Sequence, residues 1–159
     1  MEHDERTLLI AQYQDGYRVV AEALLEATTE ELDASPAPGK WTPRQIVHHL
    51  ADSETTAAVR FRQLVAEAHP VIRCNDQDVF ASRLHYERPH EASLDLFRAA
   101  RASTAELMAC LSEADWLREG THTDGSRFGL DTWLRLYAPH AHKHAQQIRA
   151  ARGRGQGHG

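Results

Sequence analysis

Four stretches of this chain place an apolar residue every three or four positions, a period that a helix buries on one face and a strand cannot use. The first runs Leu9, Tyr13, Gly16, Tyr17, Val20, Leu24 and Ala27. The second holds Ile46, Leu50, Ser53, Ala57, Phe61, Leu64 and Ala68, and the third Phe97, Ala100, Thr104, Leu107 and Leu111. The fourth is Trp133, Tyr137, His140, His144, Ile148 and Ala151. One-sided helices must cover their stripes against one another, so the pattern predicts an all-α four-helix bundle.

Local signals set the boundaries. Pro36-Ala-Pro-Gly39 ends the first helix, and Thr42-Pro43-Arg44-Gln45 opens the second as a capping box with proline at the first helical position. His69-Pro70 stops that helix, and a long crossover from Pro70 to about Pro89 leads to the third, which ends near Ser112. Asp124-Gly125, between short extended pieces, predicts a small hairpin or an ordered loop, after which Asp131 can cap the fourth helix. Pro139 removes an amide donor inside that helix and predicts a kink, either merely tolerated or opening space beside it.

At 159 residues, 42% of them hydrophobic, the chain is large enough for one core and too small for two comfortable ones. A single domain over 1–150 follows, with the Gly/Arg-rich stretch 151–159 read as a disordered tail. Eighteen Lys and Arg against 23 Asp and Glu leave a net charge of -5 with no basic stripe, which argues against a nucleic-acid partner. Met1-Glu-His-Asp-Glu-Arg6 is too charged for a signal peptide, and no apolar run reaches transmembrane length. Cys74 and Cys110 form no paired motif and read as reduced thiols. The expectation is a cytoplasmic protein with no membrane partner.

The 11 histidines separate by helical phase, at about 100° per residue. With Trp133 at zero, His140 falls near about -20°, His144 near about +20°, and His142 near about 180°, which makes His142 a solvated surface residue. With Ile46 at zero, His49 lies near about -60°, on the flank of the stripe, and His48 near about -160°, on the opposite side. An inward imidazole loses hydration unless something satisfies it, usually a hydrogen bond. Three of them on two helices, His49, His140 and His144, also form a ligand set of the open catalytic-zinc kind, which nickel would suit equally.

Trp41-Thr-Pro-Arg-Gln-Ile-Val-His-His-Leu-Ala-Asp-Ser53, followed by Tyr137-Ala-Pro-His-Ala-His-Lys-His-Ala-Gln-Gln-Ile148, resembles the DinB/YfiT-like superfamily, in particular its branch of bacillithiol-type transferases and metal-dependent hydrolases. Arg60-Phe61, Asn75-Asp-Gln-Asp78 and Asp115-Trp116 with Gly125 extend the likeness over about residues 36–150. The resemblance implies a bundle whose one divalent ion, zinc or nickel, is held by His49, His140 and His144. It further implies a homodimer and a low-molecular-weight, bacillithiol-like thiol as cosubstrate. The chain departs from that branch at Pro139, where Trp is frequent, at Gln147, and at Glu54, where another His is frequent.

A divalent ion with an open position acidifies water or a thiol. Hydrolysis and thiol transfer both follow from such a site, and the resemblance favours the second, a metal-dependent thiol S-transferase acting on an electrophilic small molecule. The alternatives are a metal-dependent hydrolase of a small amide or ester, or a non-catalytic stress-response module that the metal holds together. Around the ion, Arg60 either holds a carboxylate of the thiol or snorkels at the bundle edge. Asp52 either orients an imidazole or is solvated, and Tyr137 either donates a hydrogen bond into the pocket or is core. Asp76 and Asp78 read as solvated loop acids. His122 reads as a surface residue, and Cys74 as a thiol whose only local basic neighbour is Arg73. Neither Asp52 nor Glu54 is placed by sequence as a general base.

Overall fold

Thr42 caps the start of the second long helix. Its hydroxyl accepts the Gln45 amide at 3.2 Å while Gln45 Oε1 accepts the Thr42 amide at 3.0 Å, which satisfies two of the helix's orphan donors. In the computed structural model, which describes residues 1–155, the elements follow in order. They are α1 (His3–Leu24), α2 (Thr29–Leu32), α3 (Pro43–Ala66), β1 (Val71–Ile72), α4 (Gln77–Arg83), α5 (Glu91–Met108), α6 (Glu113–Trp116), β2 (Glu119–His122), β3 (Arg127–Gly129), α7 (Leu130–Tyr137) and α8 (His140–Gly155).

The four long stripes become α1, α3, α5 and the α7–α8 pair, with α3 packed on α5 and α1 on α8. Their apolar faces meet in two clusters. One is built around Phe61, Leu64, Trp133 and Leu134, and the other around Val20, Leu50, Phe97 and Ile148. No helix among the described residues is long and apolar enough to cross a membrane.

The fourth helix breaks where proline predicts. Pro139 has no amide to give, α7 ends at Tyr137, and α8 starts at His140, its first turn held by the Lys143 amide on the Pro139 carbonyl at 3.0 Å. The break makes His140 the first residue of a new helix. Asp131 does not cap α7: Gly129 stands at the N-cap, and Asp131 lies in the first turn, 3.6 Å from Arg127. At the other end, α8 continues through Gly155, with Ala151 buried and Arg152 bonded to the Ala23 carbonyl at 2.7 Å. Residues 151–155 are thus helical rather than part of a tail, and 156–159 lie outside the described residues.

The hairpin forms as β2 antiparallel to β3, and β1 adds a parallel edge with Ile72 opposite His122. Turn chemistry marks the hairpin in the sequence but not the parallel edge, because the two residues of β1 are too few to show a period of two. The crossover also contains α4, capped by Asp76, whose carboxylate accepts the Asp78 and Val79 amides at 3.0 and 3.1 Å. Asp76 is therefore a structural cap rather than a merely solvated acid.

Candidate metal centre

His49 from α3 and His140 and His144 from α8 bring their ring nitrogens within 4.8 Å of one another. His144 Nε2 lies 3.1 Å and His49 Nε2 3.4 Å from His140 Nε2. Nitrogens about 2.0–2.1 Å from one tetrahedral ion are about 3.3 Å apart, so both distances to His140 fit zinc or a similar ion. Their chemistry points the same way. Three facing ring nitrogens cannot all donate to one another and cannot all accept, whereas a cation satisfies three lone pairs at once. Among the described residues this is the only group of three or more His, Cys, Asp or Glu residues placed to hold a metal.

Burial keeps the imidazoles in the neutral form that a metal needs. Loss of hydration, followed by the nearby His144, pulls His49 from 6.5 down to about 4. Loss of hydration, then His144 and His49, brings His140 to about 3, and desolvation brings His144 to about 4. Gln147, one turn beyond His144, fixes its tautomer: His144 Nδ1–H donates to Gln147 Oε1 at 2.8 Å, which leaves the Nε2 lone pair toward the cluster. Trp41 covers the third ring, its centroid 4.7 Å from that of His49.

Both flanking histidines leave the cluster, for a reason that a single stripe does not show. α3 is covered by α5 on one side and by α8 on another, so both members of the His48-His49 pair are buried. His48 bonds Ser93 Oγ at 2.8 Å and the Arg88 carbonyl at 3.0 Å, and burial lowers its pKa. It lies off the cluster, as expected, but is enclosed. His142 is not fully solvated either. It is half-buried against α1, with Nε2 3.2 Å from Asp15.

The accessory residues sort as follows. Arg60 and Tyr137 line one cavity with His49 and His140, and Arg60 Nη1 donates to the Tyr137 hydroxyl at 2.8 Å. Arg60 also donates to the Arg73 carbonyl and to Asn75 Oδ1. Tyr137 is 4% exposed, and its hydroxyl accepts that bond, which leaves its own O–H free to donate. Asp52 lines the same cavity but does not orient an imidazole; its Oδ2 accepts the Tyr86 hydroxyl at 2.7 Å. A second, larger groove opens on the other side of His140 and His144, lined by Lys40, Trp41, Asp78 and Lys143.

Two constellations escape a reading by helical phase alone. Glu54, enclosed in α3, accepts from the Tyr13 hydroxyl and, at 2.5 Å, from Arg101 Nη1. Arg101 donates onward to the Tyr13 carbonyl at 2.6 Å and the Tyr137 carbonyl at 3.1 Å. Its positive charge thus sits at the carboxyl end of α7, where helix carbonyls lack partners. The second is Cys74, which has a basic partner after all: its Sγ lies 2.9 Å from His122 Nε2. His122 Nδ1 is 3.2 Å from Asp124 Oδ2, closer than the Asp124 amide at 3.5 Å. The 48 positions between cysteine and histidine hide that pairing from any local motif.

A helical bundle with three inward imidazoles converging from two of its helices is the architecture of a metal-dependent bundle protein. The chain belongs to the DinB superfamily, whose family model matches residues 12–148. A protein of Oceanobacillus iheyensis named "putative metal-dependent hydrolase" is 32% identical over 139 residues, covering 87% of this chain and 81% of its own. One from Bacillus mycoides with the same description is 27% identical, over 91% and 84%. Among solved structures, YfiT from Bacillus subtilis, described as a probable metal-dependent hydrolase with an unusual four-helix bundle topology, superposes with a TM-score of 0.88 at 26% identity. That match spans 98% of this chain and 90% of that one. A mycothiol-dependent maleylpyruvate isomerase shares the fold at 14% identity, with a TM-score of 0.72 over 93% of this chain and 61% of its own.

Proposed function

We propose that His49, His140 and His144 hold one divalent ion of the zinc or nickel kind, and that the chain is an enzyme transferring a low-molecular-weight thiol to an electrophilic small molecule. The convergence of three neutral imidazoles where two cavities meet carries this reading. Three protein ligands leave a coordination position for a reactant, whereas closed structural zinc sites use four ligands. The bound ion would supply acidity, turning a thiol into its thiolate near neutral pH.

The chain's own groups do the rest. Gln147 holds His144 in the ligating tautomer, and Trp41 shields His49 from water. Among the described residues Arg60, Lys40 and Lys143 form no ion pair, and all three line the two cavities. Such cations suit the carboxylates of a small peptide-like thiol, and Arg60 would hold one of them. Asp52 is engaged by Tyr86, and Glu54 by Tyr13 and Arg101, so a nucleophile that carries its own acidic proton suits the site.

Hydrolysis of a small ester or amide is the second reading, favoured by the names of the relatives at 32% and 27% identity. One assay separates the two. Protein reconstituted with zinc or nickel is given cysteine, glutathione and a chlorodinitrobenzene electrophile, and in parallel a nitrophenyl ester, each scored against His140→Ala. Metal-dependent conjugate formation lost in the variant supports transfer. Ester cleavage without conjugation supports the hydrolase.

A further inference from the structure

The Cys74, His122 and Asp124 side chains form a chain of contacts that the three-histidine centre does not use. The sheet assembles it. Parallel pairing sets Ile72 opposite His122, and the Thr123 amide donates to the Ile72 carbonyl at 3.0 Å, which brings the segment after β1 beside the end of β2. The 122–126 turn then presents the carboxylate. The Ser126 amide donates to Asp124 Oδ1 at 2.8 Å, leaving Oδ2 facing His122, and Gly125 supplies the positive φ of 87° that the turn needs.

Both residues flanking Cys74 are tied to α3. Arg60 bonds the Arg73 carbonyl and Asn75 Oδ1, and Asn75 Nδ2 donates to Thr56 Oγ1 at 2.8 Å. The thiol is therefore exposed on a pinned backbone, in the cavity that His49 and His140 also line. An imidazole at hydrogen-bond distance from sulfur, its far nitrogen oriented by a carboxylate, is the arrangement that activates a cysteine nucleophile.

We propose that Cys74, with His122 as its base and Asp124 as the group orienting that base, is a modification site that takes up low-molecular-weight disulfides as a reversible mixed disulfide. Cys74 passes its proton to His122 Nε2, while His122 Nδ1–H stays on Asp124. The thiolate attacks one sulfur of the disulfide; that S–S bond breaks as the Cys74–sulfur bond forms. The departing thiolate recovers the proton from His122, so one disulfide is exchanged for another with no further oxidant. A second molecule of free thiol reverses the step. The attached group sits in the cavity shared with His49 and His140.

Cys110 provides an internal comparison. It is also exposed, but among the described residues its sulfur bonds only the Glu106 carbonyl, at 3.4 Å, and pairs with no base. The full-length protein is incubated with oxidised glutathione and sampled by intact mass and peptide mapping. Adduct formation at Cys74 should outpace Cys110 by about tenfold, the scale by which a larger thiolate fraction speeds exchange near neutral pH. In His122→Gln, shown folded by circular dichroism, the Cys74 rate should fall to that of Cys110. Equal rates at the two cysteines of the wild-type protein overturn the proposal, and this comparison needs no variant to fold. An unchanged Cys74 rate in folded His122→Gln overturns it equally. Neither outcome depends on the metal.

Discussion

Arg101 and Glu54 form an ion pair at 2.5 Å between α5 and α3 with 2% and 1% of their side chains exposed, and the same guanidinium holds the Tyr137 carbonyl three residues before His140. The buried pair and the break that positions the metal-facing histidines are thus one construction. Removing one partner strands the other as an uncompensated buried charge. Glu54→Ala should lower unfolding free energy by about 3–5 kcal/mol in chemical denaturation. Gly16→Ala tests the same region from α1, because an added Cβ would stand 2.6 Å from Arg101 Nε. It should cost about 1–3 kcal/mol, and a neutral result would mean that Arg101 has freedom its three bonds deny.

Metal content distinguishes the histidines by position. Elemental analysis of protein loaded with zinc should give about one ion per chain. His49→Ala, His140→Ala and His144→Ala should each abolish stoichiometric binding, whereas His48→Ala and His142→Ala retain it. His48→Ala should still lose about 1–3 kcal/mol of stability, since Ser93 and the Arg88 carbonyl lose their partner. Full metal retention in both α8 variants would end the three-histidine model.

Helical phase was enough to select His49, His140 and His144, because side chains at those angles have one interior to share. It also sets His48 and His142 off the cluster but does not show that His48 is enclosed and His142 half-buried, because phase measures direction from one stripe while α3 and α8 are each packed on more than one side. The break at Pro139 followed from chemistry local to one residue. By contrast, Cys74 with His122 and Glu54 with Arg101 are joined only by tertiary packing across 48 and 47 positions. No periodicity within one element contains that information.

Arg60 tests the recognition of an anionic cosubstrate. Arg60→Met should raise KM for glutathione by about tenfold or more, the scale of one charge-assisted hydrogen bond, with kcat within about twofold. The uncharged 2-mercaptoethanol should be indifferent. Arg60 also ties residues 73 and 75 to α3, so an equal loss with both thiols would assign it a purely structural role.

Acid should destabilise the metal-free protein sooner than its carboxylates would require. His49, His140 and His144 have folded pKa values of about 4, 3 and 4 against an ordinary 6.5, all lowered first by burial. Between those limits the unfolded chain binds protons that the folded chain refuses, so stability rises with pH and is lost as pH falls below 6.5. Three such groups set a ceiling of about 4 kcal/mol per pH unit near pH 5. Thermal melts of metal-free wild type should therefore fall more steeply from pH 6.5 to 4.5 than those of His140→Ala, where one group is gone and its neighbours are freer to protonate. Saturating zinc should raise the melting temperature at both pH 7 and pH 5.5, because folded-state protons compete for the three nitrogens only near pH 4. Parallel melting profiles for wild type and His140→Ala would show that the cluster is already solvated enough to take up protons, and the desolvated, metal-ready site would have to be abandoned.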